Sequence, residues 1–270
     1  MSAAISGNGS APYSSELAAA TRAALAAGEI TERYFGTDKL DTRQKAPGHP
    51  VTVADIEAND AIQAILSREF PEDGWLSEET ADSTDRLAKK RVWIIDPIDG
   101  TKEFISGVPE YVVSIGLAVG PEIVAGVVFQ PTRKLLYRGS KNGGATLNDQ
   151  PIALAASPAA RPKIFVSRSE TRRGQWKPHE SRFDLDPCGS IAFKICRVAA
   201  GEADGVVTIE PRSEWDIAGA GAILEAAGGM LTTHNARPIP FNSARPVTLG
   251  GVIGGSAGFI RACAEHFAAS

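Results

Sequence analysis

A mixed α/β chain is predicted by three observations. Two long segments near the N-terminal end place apolar residues at helical spacing, the middle of the chain holds consecutive strand-length apolar runs, and an alanine- and glycine-rich helical segment begins near residue 216. At 270 residues, 43% of them hydrophobic and 22% charged, the chain is long enough for one large core or two closely packed subdomains.

Residues 1–14 are small and polar, with neither a basic start nor an apolar block, and read as a disordered tail rather than a secretory signal. The first helix is expected from Ser15 to Tyr34. A polar, basic-leaning loop follows from Gly36 to Pro50, carrying Lys39, Arg43, Lys45 and His49, and its place before the next helix suits a flap over a site. The second helix runs from Thr52 to just before Pro71, with Ile56, Ile62, Ile65, Leu66 and Phe70 on one side. Thr52-Val53-Ala54-Asp55 is a capping box in which Asp replaces the usual Glu or Gln.

From Trp75 the pattern turns strand-rich. Trp75-Leu76-Ser77 precedes Glu78-Glu79, and Val92 to Ile95 forms a buried strand ending at Asp96. Val112–Ala118 and Ile123–Phe129 form a hairpin turning at Gly120-Pro121, and Lys134–Arg138 adds a strand. Gly143-Gly144 and Asn148-Asp149 mark turns. The stretch 151–162 links two halves, 15–155 and 156–270. In the second half the expected elements are a strand at Ile164–Val166, a helix from about Ser190 to Gly201, a strand from Gly205 to Ile209, and a helix from Asp216 to Ala227 stopped by Gly228-Gly229.

Several function classes lose support. A net charge of −4 argues against binding a nucleic-acid polymer, which needs a basic surface to displace counterions. The longest apolar runs fall far short of the roughly 20 residues of a membrane span, so no stable membrane insertion is expected. Cys188, Cys196 and Cys263 are odd in number and lack metal-ligand spacing, which favours reduced thiols in a cytoplasmic protein. No Walker, nucleophile-elbow or zincin pattern is present.

The candidate chemistry lies between Val92 and Phe104. A strand there delivers Asp96 and Asp99, three residues apart across Pro97, and then Gly100-Thr101 opens a helix whose first backbone amides attract an anion. Read alone, Asp-Pro-Ile-Asp-Gly is an ordinary turn. Likewise Asp55 and Asp216, each near a helix start, read alone as helix caps. What changes the reading is the set of acids Glu78, Glu79 and Asp216 elsewhere in the chain.

Glu78-Glu79, Asp96-Pro97-Ile98-Asp99-Gly100-Thr101 and Trp215-Asp216-Ile217-Ala218-Gly219-Ala220 resemble, in order and spacing, the three signature segments of the inositol monophosphatase family of magnesium-dependent, lithium-sensitive phosphomonoesterases. Lys102-Glu103-Phe104 and Glu214 look more like the CysQ-type 3′(2′),5′-bisphosphate nucleotidases. Cys188-Gly189-Ser190-Ile191-Ala192-Phe193-Lys194 resembles the substrate-side junction, with a spacing closer to that of the inositol phosphatases.

The resemblance implies a layered α/β/α/β/α sandwich, often homodimeric, with two or three Mg²⁺ per site. It implies Glu78, Asp96 and the Ile98 carbonyl as ligands of one metal, with Asp96 shared with a second that Asp99 and Asp216 also hold. Glu79 would act through water. Asp55 and Thr101 would orient the attacking water, and with Glu78 make up the catalytic set. Gly100, Thr101, Lys102, Gly189, Ser190 and Lys194 would contact a small phosphorylated substrate. The implied reaction is hydrolysis of adenosine 3′,5′-bisphosphate to AMP, a by-product step of sulfur assimilation. The alternatives are hydrolysis of inositol 1-phosphate or another small sugar phosphate and, in a different class, a catalytically silent metal- or phosphate-binding regulator.

Overall fold

Alanine spacing produces the first layer. In the computed structural model, which describes residues 12–37, 42–46, 49–154 and 159–268, α1 (Ser14–Tyr34) and α2 (Val53–Glu69) bury Ala19, Ala20, Ala23, Ala24 and Ala27 in one cluster with Ala58, Ile62 and Leu66. Between these helices the segment expected as a loop contains an antiparallel pair, β1 (Thr42–Ala46) and β2 (His49–Thr52), too short and too polar to betray itself by alternation. Residues 1–11 of the expected tail, Lys39, the side chains of Lys45 and His49, and the 155/156 boundary lie outside the described residues.

The second layer is a seven-stranded sheet in the order β3 (Gly74–Ser77), β4 (Arg91–Asp99), β5 (Val112–Val119), β6 (Glu122–Gln130), β7 (Leu135–Ser140), β8 (Gly144–Leu147) and β9 (Gln150–Ile152). A short helix, α3 (Thr101–Ile105), leaves the end of β4. Both faces of the sheet are covered, which explains the continuous apolar runs. Along β4, Trp93 and Ile95 join the α1/α2 cluster, while Val92 and Ile94 face the opposite cluster. Asn148 and Asp149 take φ of 48° and 66°, two consecutive left-handed residues suited to the tight turn between β8 and β9.

The second half supplies the other three layers. Its elements are β10 (Lys163–Ser167), α4 (Arg168–Arg172), β11 (Asp184–Cys188), α5 (Ile191–Ala199), β12 (Gly205–Val207), α6 (Glu214–Ala226), β13 (Met230–Thr233), β14 (Val252–Gly255) and α7 (Ala257–Ala268). The five strands pair in the order β11-β10-β12-β14-β13. Helices α5 and α6 lie between the two sheets, and α7 covers the outer face of the smaller sheet through Phe259, Ile260 and Cys263. The result is the expected α/β/α/β/α layering. Among the described residues, no helix is long and apolar enough to cross a membrane.

Helix α6 approaches the large sheet unusually closely. Gly116, Gly126 and Gly139 are register partners on β5, β6 and β7, and together they make a side-chain-free strip under Ala218, Gly219, Ala222 and Ile223. This strip fixes where the start of α6 can stand, and that helix carries Asp216.

Candidate active site

Three segments bring carboxylates to one corner because each ends or begins a regular element there. Ser77 and Ile95 pair in the parallel β3–β4 ladder, and the Glu78 amide donates to the Ile95 carbonyl at 3.2 Å, so Glu78 emerges beside Asp96. Asp216 arrives on the first turn of α6, whose start is held by buried Glu214 accepting from the Asn242 and Ser243 amides at 2.6 and 3.0 Å. Carboxylate oxygens of Glu78, Asp96 and Asp216 lie within 4.8 Å of one another.

The electrostatics of this corner call for a cation. Burial first, and then Glu78, Asp99, Asp216 and Asp55, push the Asp96 carboxyl well above the usual carboxylate range. Asp216 is pushed up to about 8 by burial and by Asp99 and Glu78, against the opposing pull of Arg212. Asp99 is raised to about 6 by burial, offset by its hydrogen bonds from Ser190 and Ala192. Crowded acids whose charged forms are disfavoured, all with oxygen donors, fit a hard divalent cation such as Mg²⁺ rather than a thiolate- or imidazole-seeking metal. The Asp96 side chain is braced by the Ile98 amide at 3.0 Å.

Asp99 stands beside this cluster rather than within its 4.8 Å group. Its Oδ2 accepts from the Ser190 hydroxyl at 2.5 Å and the Ala192 amide at 2.6 Å, tying β4 to the start of α5. Glu79 is partly buried, and its amide donates to Ser77 Oγ at 3.2 Å.

Two acids that sequence logic offers as either caps or site residues both cap a helix and face the acidic corner. Asp55 Oδ2 accepts from the Thr52 amide at 2.7 Å and the Thr52 hydroxyl at 2.6 Å, completing the cap of α2, while Oδ1 faces the Thr101 hydroxyl at 3.5 Å. Asp216 Oδ2 caps α6 by accepting from the Ser213 amide at 3.0 Å while the carboxylate joins the acidic cluster. Both are third residues of their helices, so capping geometry itself aims them. The Thr101 hydroxyl is closer to the Ile98 carbonyl, at 3.1 Å, than to Asp55. Replacing Thr101 with Val is expected to lower kcat about 10²-fold with KM within threefold, and Ser is expected to restore most of it, as steady-state kinetics would show.

The expected substrate contacts divide. Gly100 has φ of 99°, and a Cβ there would meet the Glu110 carbonyl at 2.9 Å and Ser190 Cβ at 3.3 Å, so Gly100 and Thr101 open α3 directly against the Ser190 turn. Lys102 is exposed on that turn. The Gly189 amide donates to Glu110 at 2.7 Å, and the Ser190 hydroxyl is engaged with Asp99 and the Phe193 amide. Lys194 is buried, its Nζ donates to the Cys188 carbonyl at 3.1 Å, and burial together with nearby Arg212 lowers its basicity.

Sequence reasoning missed a second basic group. Glu170 is fully buried and accepts from Trp176 Nε1 at 3.1 Å, from the Ile209 and Glu210 amides at 3.2 Å, and from Arg212 at 2.8 Å. This hub holds the Arg212 guanidinium where its charge acts on Asp99, Asp216 and Lys194, with a buried Nε that has no hydrogen-bond partner. The available signal was an arginine four residues before Asp216. Its buried partner lies 42 residues upstream, beyond any local pattern.

Comparison with known proteins places this geometry. The model of the inositol monophosphatase family matches residues 13–265. Inositol monophosphatase 1 of Solanum lycopersicum is 32% identical over 227 residues, covering 80% of this chain and 83% of the relative. Extragenic suppressor protein suhB from Bartonella henselae superposes with a TM-score of 0.82 at 25% identity, covering 93% of this chain and 98% of that one. CysQ from Bacteroides thetaiotaomicron superposes with a TM-score of 0.74 at 30% identity, covering 91% and 98%.

Proposed function

Because the chain belongs to the inositol monophosphatase family and is a phosphoric monoester hydrolase, we propose that it is a Mg²⁺-dependent 3′(2′),5′-bisphosphate nucleotidase that hydrolyses adenosine 3′,5′-bisphosphate to AMP and phosphate. The observation that carries the hydrolytic part is the convergence of Glu78, Asp96 and Asp216 within 4.8 Å, beside the Asp55–Thr101 pair. Two or three Mg²⁺ ions held by Glu78, Asp96, Asp99, Asp216 and the Ile98 carbonyl would acidify a water and neutralise charge on the phosphoryl oxygens.

The chain's own residues do the positioning. With the 3.5 Å contact drawn in to ordinary hydrogen-bond length, Asp55 Oδ1 accepts the Thr101 hydroxyl hydrogen, and Thr101 Oγ1 turns its lone pairs toward a water. That water's oxygen bonds to phosphorus as the ester oxygen departs in line, the attacking water giving its proton to solvent and the departing oxygen taking one from solvent. The first amides of α3 and the Lys102 ammonium stand ready for the phosphoryl oxygens.

A second phosphate distinguishes the preferred substrate. Lys102-Glu103-Phe104, the cationic Arg212 on its Glu170 hub and the neighbouring Lys194 support a ligand with two phosphoryl groups. The Cys188–Lys194 spacing and the names of the curated relatives support the second reading, inositol 1-phosphate. Three buried free cysteines accord with action in the cytoplasm, and a homodimer belongs to the same reading.

A phosphate-release panel of adenosine 3′,5′-bisphosphate, inositol 1-phosphate and fructose 1,6-bisphosphate, with and without Mg²⁺ and Li⁺, tests this. The nucleotide is expected to lead in kcat/KM by at least about tenfold, to require Mg²⁺ and to be inhibited by Li⁺. A lead for inositol 1-phosphate would install the second reading. Arg212→Gln is expected to cost both substrates something through Asp99 and Asp216, and to raise KM for the bisphosphate about tenfold more than KM for inositol 1-phosphate.

A further inference from the structure

We propose that Arg86 is a positioning residue for the acidic corner, setting the separation of Glu78 and Asp216 from outside the site. Glu78 leaves β3, the edge strand of the large sheet, whereas Asp216 rides on α6, which rests mainly on β4, β5, β6 and β7. That packing leaves the two acids without a direct tie. Arg86 supplies one.

Arg86 lies on a short 3₁₀ turn, Thr84–Ala88, that follows the Glu78-Glu79 pair, and it is 3% exposed. Its stem packs over β3 at Gly74, where a Cβ would meet Arg86 Cβ at 3.2 Å. Nε and Nη2 hold Asp82 at 2.7 and 2.8 Å, while Nη1 donates to Asn242 Oδ1 at 2.7 Å and Nη2 also donates to the Ser243 carbonyl at 3.0 Å. The Asn242 and Ser243 amides in turn donate to Glu214, the first residue of α6 and two before Asp216. Thr80, two residues after Glu78, accepts from Trp75 Nε1 and Asn59 Nδ2 at 3.2 Å each, so the chain between β3 and Arg86 is held as well. One run of hydrogen bonds thus joins the edge strand to the first turn of α6, across 156 residues of sequence.

Burying a guanidinium is costly unless its donors are answered, and here half of the answer comes from the other end of the chain. Asp82, four residues away, would suffice for a local ion pair. The arms to Asn242 and Ser243 do more, and the Arg86 charge also acts on buried Glu214. A lysine, with three donors on one atom, cannot span Asp82 and the 242–243 loop together. The loop would then loosen, and the first turn of α6 would drift from β3.

The inference rests on the hydrolytic reading of the acidic corner. Its test is Arg86→Lys, read without turnover: Mn²⁺, an oxygen-seeking stand-in for Mg²⁺, is titrated with the free ion followed by electron paramagnetic resonance, and hydrogen exchange of the Asn242 and Ser243 amides is measured in chelator. Exchange at least about tenfold faster and Mn²⁺ affinity about tenfold weaker are expected, with kcat recovered to within about threefold at saturating Mg²⁺. Arg91→Lys is the control, since Arg91 ties the opposite end of β4 to Glu16 at 2.8 Å and Asp73 at 3.1 Å, and its Mn²⁺ affinity should stay within about twofold of wild type. Should Arg86→Lys not fold, Asn242→Gly, which removes one arm at a φ of 55° that glycine accepts, is read by the same measurements. A folded variant with wild-type Mn²⁺ affinity would overturn the assignment, because a merely structural arginine lowers only the melting temperature. Wild-type protein that bound no Mn²⁺ would bring down the hydrolytic reading, and this inference with it.

Discussion

Asp216→Asn is expected to reduce turnover by at least about 10³-fold while making the metal-free protein more stable. The two effects share one cause. Asp216 sits on the first turn of α6 with its oxygens among those of Glu78 and Asp96, and burial with the neighbouring acids pushes its carboxyl up to about 8. The amide has nearly the same shape, and its oxygen still accepts from the Ser213 amide, so the cap of α6 survives. What is lost is the negative charge, which hinders the empty fold and serves only when a cation is bound. Such sites exchange stability for function.

Thermal melts in chelator should show the variant higher by about 3–6 °C, equivalent to ~1–2 kcal/mol in a chain of this size. In wild type, Mg²⁺ at about 100 times its dissociation constant should add ~2.7 kcal/mol, and the variant should lose most of that gain. The pH dependence follows from the sign of the shift. A group whose folded pKa is raised from 3.8 to about 8 contributes stability fully present below pH 3.8 and lost as pH rises through about 8. The metal-free wild type should therefore weaken across that window more steeply than the variant. A variant that kept turnover within tenfold, or melted lower in chelator, would sink the cation-cage account.

The sequence carried the parts of this arrangement that are local. Val112–Ala118 and Ile123–Phe129 read as strands because both faces of the large sheet are covered, which writes continuous apolar runs into the chain. The Asp96–Thr101 segment was legible because a strand end, a proline and a glycine with φ of 99° must occur in that order to turn two acids and open a helix. Asp55 and Asp216 were legible in position and ambiguous in purpose, since a capping acid and a site acid look the same until the groups facing the carboxylate are known.

What stayed hidden depends on distant partners. Arg212 owes its placement to Glu170, and Asp99 is tied to Ser190, 91 residues away. Residues 230–268 gave no expected elements. Yet β14 is the strand that joins β12 to β13, and its short Val-Ile-Gly-Gly stretch acquires a register only from both neighbours. His179 and His266 are 87 residues apart and meet only when α7 closes over the outer face.

Gly126→Ala is expected to destabilise the fold by ~3 kcal/mol and to lower turnover about 10²-fold, although Gly126 is in the middle of a strand and carries no functional group. A Cβ at this position would lie 2.0 Å from the Gly219 carbonyl oxygen and 3.0 Å from Ala222 Cβ. The strand cannot yield, because Gly126 is hydrogen-bonded in register with Gly116 on one side and Gly139 on the other. Helix α6 must therefore lift, and Asp216 rises with it, out of the 4.8 Å group it makes with Glu78 and Asp96. The expected fall in Tm is about 6–12 °C, with Mg²⁺ affinity and kcat decreasing together. Gly250→Ala is the matched control: a Cβ there meets nothing within 4 Å, and its stability should stay within about 0.5 kcal/mol of wild type. Full activity in Gly126→Ala would mean that the acids hold their geometry independently of where α6 packs, which the first-turn position of Asp216 gives them no means to do.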